Sequence, residues 1–167
     1  MSYFMVDIES DGPIADYSMI SFGAVLVDEH LDKTFYACLK PISEKWIPEA
    51  LSVSGFSREE TLLFEDPIKV MMDFADWIKQ HSTGQAVFIS DNNGFDWMFT
   101  CWYLWHFTGE NPFGHSSHNL NSLYKGAVGD MRQDFRHLVD TVHTHHPVDD
   151  AKGHAEALLK MQKGILN

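Results

Sequence analysis

Three short stretches hold the residues whose types and spacing could do chemistry. In FMVDIESDG, Asp7 and Glu9 stand two apart at the end of an apolar run. Alternation along a strand puts residues i and i+2 on one face, so both carboxylates point the same way. Two like charges that close repel each other unless a cation lies between them. Hard divalent ions such as Mg²⁺ or Mn²⁺ take oxygen ligands of this kind. An uncompensated charge is costly inside an apolar strand, which separates this pair from a chance Asp-x-Glu triplet.

The second stretch, Asp91-Asn92-Asn93-Gly94-Phe95-Asp96, follows the apolar QAVFIS. Asp96 falls just past the carboxyl end of a predicted strand, where open α/β sheets carry their sites. An acid there also suits an ordinary turn and helix N-terminus, so the segment alone leaves both readings open. The third stretch is HTHHPVDD, residues 143–150. Its acids suit the first turn of a helix. Its three histidines could form a zinc site, but no cysteine is near and zinc needs three or four ligands at fixed geometry. The remaining reading pairs one histidine as proton acceptor with one aspartate as metal ligand, since an imidazole titrates near neutral pH.

Short predicted elements position these groups. Tyr3–Ile8 reads as a buried strand, and Met19–Val27 and Lys33–Leu39 read as a hairpin across the polar DEHLD. Asp66 caps a helix with Pro67 at its first position and an apolar stripe of Met71, Phe74, Ala75 and Ile78, reaching about Gln80. Gln85–Ser90 is a further strand. A helix follows from about Gly94 to Phe107, then mostly loop with a short helix from Thr108 to Lys125. Pro147 opens a last helix to about Gln162, with Val148, Ala151, Ala155, Leu158 and Leu159 as its stripe. This order gives a mixed α/β domain around one central sheet.

The 167 residues fit one domain, 1–167, with room for a sizeable core. With 44% hydrophobic and 22% charged residues, disorder and collagen-like repeats are excluded. No stretch approaches the roughly 18 apolar residues that cross a bilayer. The acidic start lacks the features of a signal peptide, and Cys38 and Cys101 are too few for a disulfide scaffold, so a cytoplasmic protein is expected. Twelve basic against 24 acidic residues, a formal −12, disfavours a general duplex binder. It leaves room for a nucleic-acid enzyme whose bound cations invert the local sign.

Taken in order, the three stretches resemble the DEDDh family of 3′–5′ exonucleases over about Tyr3 to Leu159. The family's first motif, Asp-x-Glu, matches Asp7 and Glu9. Its Asn-x-x-x-Asp, commonly with phenylalanine before the Asp, matches Asn92, Phe95 and Asp96. Its HxxxxD matches His145 and Asp150, with His143, His146 and Asp149 as close neighbours. The wording SDNNGFDW looks most like the RNase AS type of exoribonuclease. One departure is Ser10-Asp11-Gly12-Pro13, where many relatives carry two threonines and a glycine.

The resemblance implies a ribonuclease H-like fold, with a mixed sheet and helices on both faces. It implies a metal-dependent exonuclease that releases nucleoside 5′-monophosphates from single-stranded 3′ ends, RNA in preference to DNA. The alternatives are an exodeoxyribonuclease and a non-catalytic domain that binds nucleic-acid ends. Two divalent cations, Mg²⁺ or Mn²⁺, would sit among Asp7, Glu9, Asp96 and Asp150, with His145 as general base. Asn92, Phe95 and Trp97 would line the substrate; rings can stack on bases, although Phe95 reads better as core. The run from Trp97 to Phe107 is apolar nearly all round, so a homodimer is expected to cover its surplus. No Lys or Arg occurs between Lys79 and Lys125, leaving Lys125, Arg132, Arg136 and Lys152 for outer phosphates.

Overall fold

A computed structural model of the chain describes residues 1–164. Five strands form one mixed sheet in the order β3-β2-β1-β4-β5. They are β1 (Ser2–Ser10), β2 (Met19–Leu26), β3 (Thr34–Cys38), β4 (Ala86–Ser90) and β5 (Ser117–Asn119). The first three run antiparallel, while β4 pairs parallel with β1 and β5 parallel with β4. Six helices accompany them: α1 (Pro48–Val53), α2 (Arg58–Thr61), α3 (Pro67–His81), α4 (Asn93–Thr108), α5 (Leu120–Val128) and α6 (Pro147–Gly164).

The central strand β1 explains the layering. Its even-numbered Phe4, Val6 and Ile8 enter one cluster with Phe22, Phe74, Phe88, Phe99 and Tyr103, beneath α3 and α4. Its Met5 enters a second cluster with Val25, Ile89, Leu120, Ala155 and Leu158, beneath α5 and α6. Period-2 alternation thereby sends Asp7 and Glu9 to the α6 side. Helices cover both faces of the sheet, as expected.

The α3 start is as read from sequence: the Asp66 carboxylate accepts the Ile68 N–H at 2.7 Å, with Pro67 at the first position. Two differences stand out in the rest. Residues 108–125 hold the expected short helix, α5, but also a strand, since Ser117–Asn119 joins the sheet edge just before it. Residues 40–65 contain α1 and α2, the latter closed by a capping box in which Ser57 and Glu60 each accept from the other's backbone. The surplus on α4 is real: Trp102 and Trp105 stay 36% and 46% exposed. Among the described residues no helix is long and apolar enough to cross a membrane.

Candidate active site

Parallel pairing brings two of the sequence clusters together. Met5 lies opposite Ile89 in the β1–β4 ladder, so two residues further on Asp7 lies beside Asp91, just past the end of β4. Asp96 sits in the first turn of α4, its carboxylate drawn by the helix N-terminus and 2% exposed. The third cluster arrives by close approach of a helix. Gly23 on β2 pairs with Asp7 in register, and a Cβ there would lie 2.5 Å from the Val148 backbone nitrogen. Only a glycine lets the start of α6 rest on the strand at this point. Asp150, in the first turn of α6, is thus delivered over Asp7.

Carboxylate oxygens of Asp7, Glu9 and Asp150 all lie within 4.8 Å of one another. The electrostatic consequences are large. Burial pushes the Asp7 carboxyl well above the ordinary carboxylate range, and the charges of Asp96, Asp150, Glu9 and Asp91 push it further. Burial raises Asp96 as well, with Asp91 adding to the shift. Glu9 is pushed up from 4.5 to about 7, burial being the main cause; His145 opposes this and Asp150 adds to it. The Asp96 Oδ2 atom is sealed from solvent and has no hydrogen-bond partner. Oxygen donors this close and this poorly compensated fit hard divalent cations, which supply the missing positive charge.

The histidine segment is tied down from α6. Asp150 accepts the Thr144 N–H on Oδ1 at 3.0 Å and the His145 N–H on Oδ2 at 3.1 Å. Glu156 accepts the backbone N–H groups of Asp140 and Thr141, each at 2.9 Å, and the Thr141 hydroxyl at 2.7 Å. So anchored, His145 adopts the left-handed conformation at φ 60°, uncommon for a residue with a side chain. Its Nδ1 lies 3.6 Å from Glu9 Oε1, and half its side chain faces solvent. His146 turns the other way and stacks on Tyr36, with ring centroids 4.6 Å apart. His143 Nδ1 reaches Asp150 Oδ2 at 3.0 Å.

The aromatic candidates part company. Phe95 lines a cavity of about 310 Å³ with Glu9, Gly12, Ile47, Ala50 and Val53, directly beside the acids. Trp97 packs against Phe88 at 4.9 Å and Phe95 against Phe99 at 5.2 Å, both rings half-buried at the edge of the aromatic cluster under the sheet. Asn92 is exposed, and its carbonyl accepts the Phe95 and Asp96 N–H groups at 2.8 and 3.1 Å. The unusual Asp11 turns away from the site. It is fully buried, accepting the Ser18 N–H at 2.6 Å and Arg58 Nη1 at 2.8 Å. Burial raises its carboxyl, and these two partners pull it back down.

Three groups beside the site were not singled out from sequence for a role there: Asp91, His143 and His154. The signal for His154 was present, since it follows Asp150 by four residues on one helix and so shares its face. Of the four outer cations, Arg132 and Arg136 pair with Asp130 and Asp134 at 3.1 and 3.2 Å.

The chain is 40% identical over 130 residues to the 3′–5′ DNA exonuclease Cap18 of Escherichia coli, covering 74% of this chain and 68% of that protein. No family model matches. The fold is similar to that of cell-death related nuclease 4, with a TM-score of 0.76, 16% identity and 97% of this chain covered. It is also similar to a 3′-exonuclease solved in 3′-end-specific recognition of a histone mRNA stem-loop, with a TM-score of 0.77, 16% identity and 98% covered. The chain spans 64% of each of those two solved chains. Identities this low speak for the fold alone, and that fold is the ribonuclease H-like one.

Proposed function

The chain belongs to the DEDD-type 3′–5′ exonucleases, and on that premise we propose that it removes nucleotides one at a time from single-stranded DNA 3′ ends. The observation that carries the reading is the convergence of Asp7, Glu9 and Asp150 within 4.8 Å, with His145 3.6 Å from Glu9. The resemblance to the RNase AS type implied RNA as the favoured strand, although the active-site residues serve both. The 40% identity to a protein named as a DNA exonuclease moves the preference to DNA.

Asp7, Glu9, Asp96 and Asp150 are the residues that would hold two divalent cations. Bound there, such ions activate water and offset charge on the reacting phosphate and the departing 3′ oxygen. The chain's own groups do the rest. His145 accepts the proton of the attacking water, its imidazole presented to solvent by the two N–H bonds to Asp150. Phe95 and the apolar walls at Ile47, Ala50 and Val53 take the terminal base, which stacks on the Phe95 ring. Asn92 fixes the turn that carries Phe95 and Asp96. Trp97, half-buried against Phe88, supports this turn.

Matched 5′-labelled DNA and RNA oligonucleotides, incubated with Mg²⁺ or Mn²⁺, test this directly. Stepwise shortening with release of nucleoside 5′-monophosphates, faster on DNA and abolished by EDTA, is the expected result. Faster digestion of RNA would return the reading to an exoribonuclease. Binding of 3′ ends with no release under any metal would leave a non-catalytic end-binding domain.

A further inference from the structure

The strap from Val139 to His146, which brings His145 to the acids, forms neither helix nor strand and is largely exposed. Few apolar contacts hold such a segment, so its place depends on where its backbone hydrogen bonds go. They go to one face of α6. Asp150, Gly153, Glu156 and Lys160, spaced three, three and four apart, share that face. The strap runs along it in the opposite direction, with Asp140 on Lys160 and Glu156, Thr141 on Glu156 and Gly153, and Thr144 and His145 on Asp150.

The hold at Glu156 is the most complete. Its Oε2 accepts the N–H groups of both Asp140 and Thr141 at 2.9 Å, and its Oε1 accepts the Thr141 hydroxyl at 2.7 Å. Burial raises this carboxyl, but the bonds from Thr141 and Asp140 outweigh burial and hold it below the ordinary range, so it stays an ionised acceptor. One turn earlier, a Cβ on Gly153 would lie 2.7 Å from Val139 Cγ1, so the strap rests there against helix backbone. Asp150 grips the other end, yet its carboxylate also lies within 4.8 Å of those of Asp7 and Glu9. A cation among those three acids offsets the charge that makes its bonds to the strap strong. Glu156 stands about 9 Å further along α6, and its three hydrogen bonds all come from the strap.

Register matters because neighbouring histidines point in different directions. His145 turns to Glu9, while His146 stacks on Tyr36. A strap displaced along α6 would carry the His145 ring off the acids. We propose that Glu156 is a positioning residue for hydrolysis: it fixes the register of the strap on α6, and with it the His145 ring beside Glu9, while Asp150 serves metal. The part given to His145 rests on the exonuclease reading; the anchoring rests on contacts within this chain.

Oligonucleotide hydrolysis and amide hydrogen exchange, both on the metal-loaded full chain, test this together. Glu156→Ala should lower kcat by roughly a hundredfold, the cost of misplacing a reacting group by about 1 Å, with KM and Mn²⁺ affinity unchanged. Exchange should quicken in this variant at Thr144 and His145 as well as at Asp140 and Thr141. Glu156→Gln should keep kcat and exchange close to wild type, since its carbonyl oxygen can accept the same two N–H groups and its amide can donate to the Thr141 hydroxyl. Thr141→Val removes one of the bonds to Glu156 and should give a smaller change in the same direction, read by the same criteria if Glu156→Ala fails to fold. A normal kcat in Glu156→Ala, or quickened exchange confined to Asp140 and Thr141, would overturn the assignment. So would an equal loss in Glu156→Gln, or a loss accompanied by weaker Mn²⁺ binding or a raised KM. If the wild type releases no nucleotides, the exonuclease reading falls, and exchange at Thr144 and His145 alone decides whether Glu156 sets the strap.

Discussion

The two faces of β1 are built on opposite principles. On one, Phe4, Val6 and Ile8 meet a layer of rings in which Phe74 lies 4.8 Å from Phe22 and 5.1 Å from Phe35. On the other, Met5 is the last apolar residue before Asp7 and Glu9, which meet Asp150 and one another at repulsive range. One strand, read at period 2, thus supplies stability from its even positions and, in the proposed function, reactivity from its odd ones. The aromatic face must hold the fold together while the acidic face works against it, until cations bind.

The sharpest way to break this contrast is to substitute one residue on each face. Asp7→Asn should lower the rate of mononucleotide release by on the order of a thousandfold, since a lost partner for transition-state charge costs several kcal/mol. Its metal-free melting temperature should not fall, because the substitution removes repulsion. An Asp7→Asn variant with normal hydrolysis would refute the division of roles. Phe74→Ala should do the reverse. Removing this fully buried ring costs about 3–5 kcal/mol in urea unfolding, with the rate per folded molecule little changed.

The difference between the faces was legible because it is local. Alternation in FMVDIES, the Asp66-Pro67 cap and Pro147 at the head of α6 each sit within a few residues, where chain stiffness decides the outcome. Ser117–Asn119 was not legible as a strand, because three polar residues carry no period and their order comes from pairing with Phe88–Ser90. The Ser57–Glu60 capping box was written in the sequence but flanks a helix of only four residues, too short to show a stripe. Asp11 looks like a site residue beside Glu9, and only its Arg58 partner, 47 positions away, reveals a structural ion pair. That Phe95 borders the cavity beside Glu9 while Trp97 meets Phe88 depends on which side of α4 rests on the sheet, and that is a tertiary fact.

Acidity offers a third, smaller handle, because it changes one face only. In the folded, metal-free chain Glu9 titrates at about 7 against 4.5 for the ordinary group. The folded state therefore holds a proton that the unfolded state has released, so stability falls as pH rises across this window. Asp7 and Asp96, raised in the same direction, extend the loss. Melting of the EDTA-treated protein should drop between pH 5 and pH 8. Added Mn²⁺ should restore it, and restore more at pH 8, where the ligands give up fewer protons on binding. A melting temperature that rises steadily over this range without metal would contradict a buried, uncompensated cluster.

The smallest change tests what joins the faces to α6. Gly23 lies on the strand next to β1, opposite Asp7, and its missing side chain admits the backbone of Pro147 and Val148. Backbone cannot rotate out of the way as a flexible side chain can, so Gly23→Ala must lift the start of α6. Overpacking of this kind costs about 1–3 kcal/mol. A loss of stability alone would be consistent with simple crowding. The geometry requires more, because the displaced turn carries Asp150, whose two oxygens hold the Thr144 and His145 backbone. The variant should therefore bind Mn²⁺ more weakly, and excess Mn²⁺ should recover part of its kcat while KM for the oligonucleotide changes little. A Gly23→Ala protein that is destabilised but binds Mn²⁺ like the wild type would show that α6 finds its place without this contact. The close approach would then serve packing rather than the site.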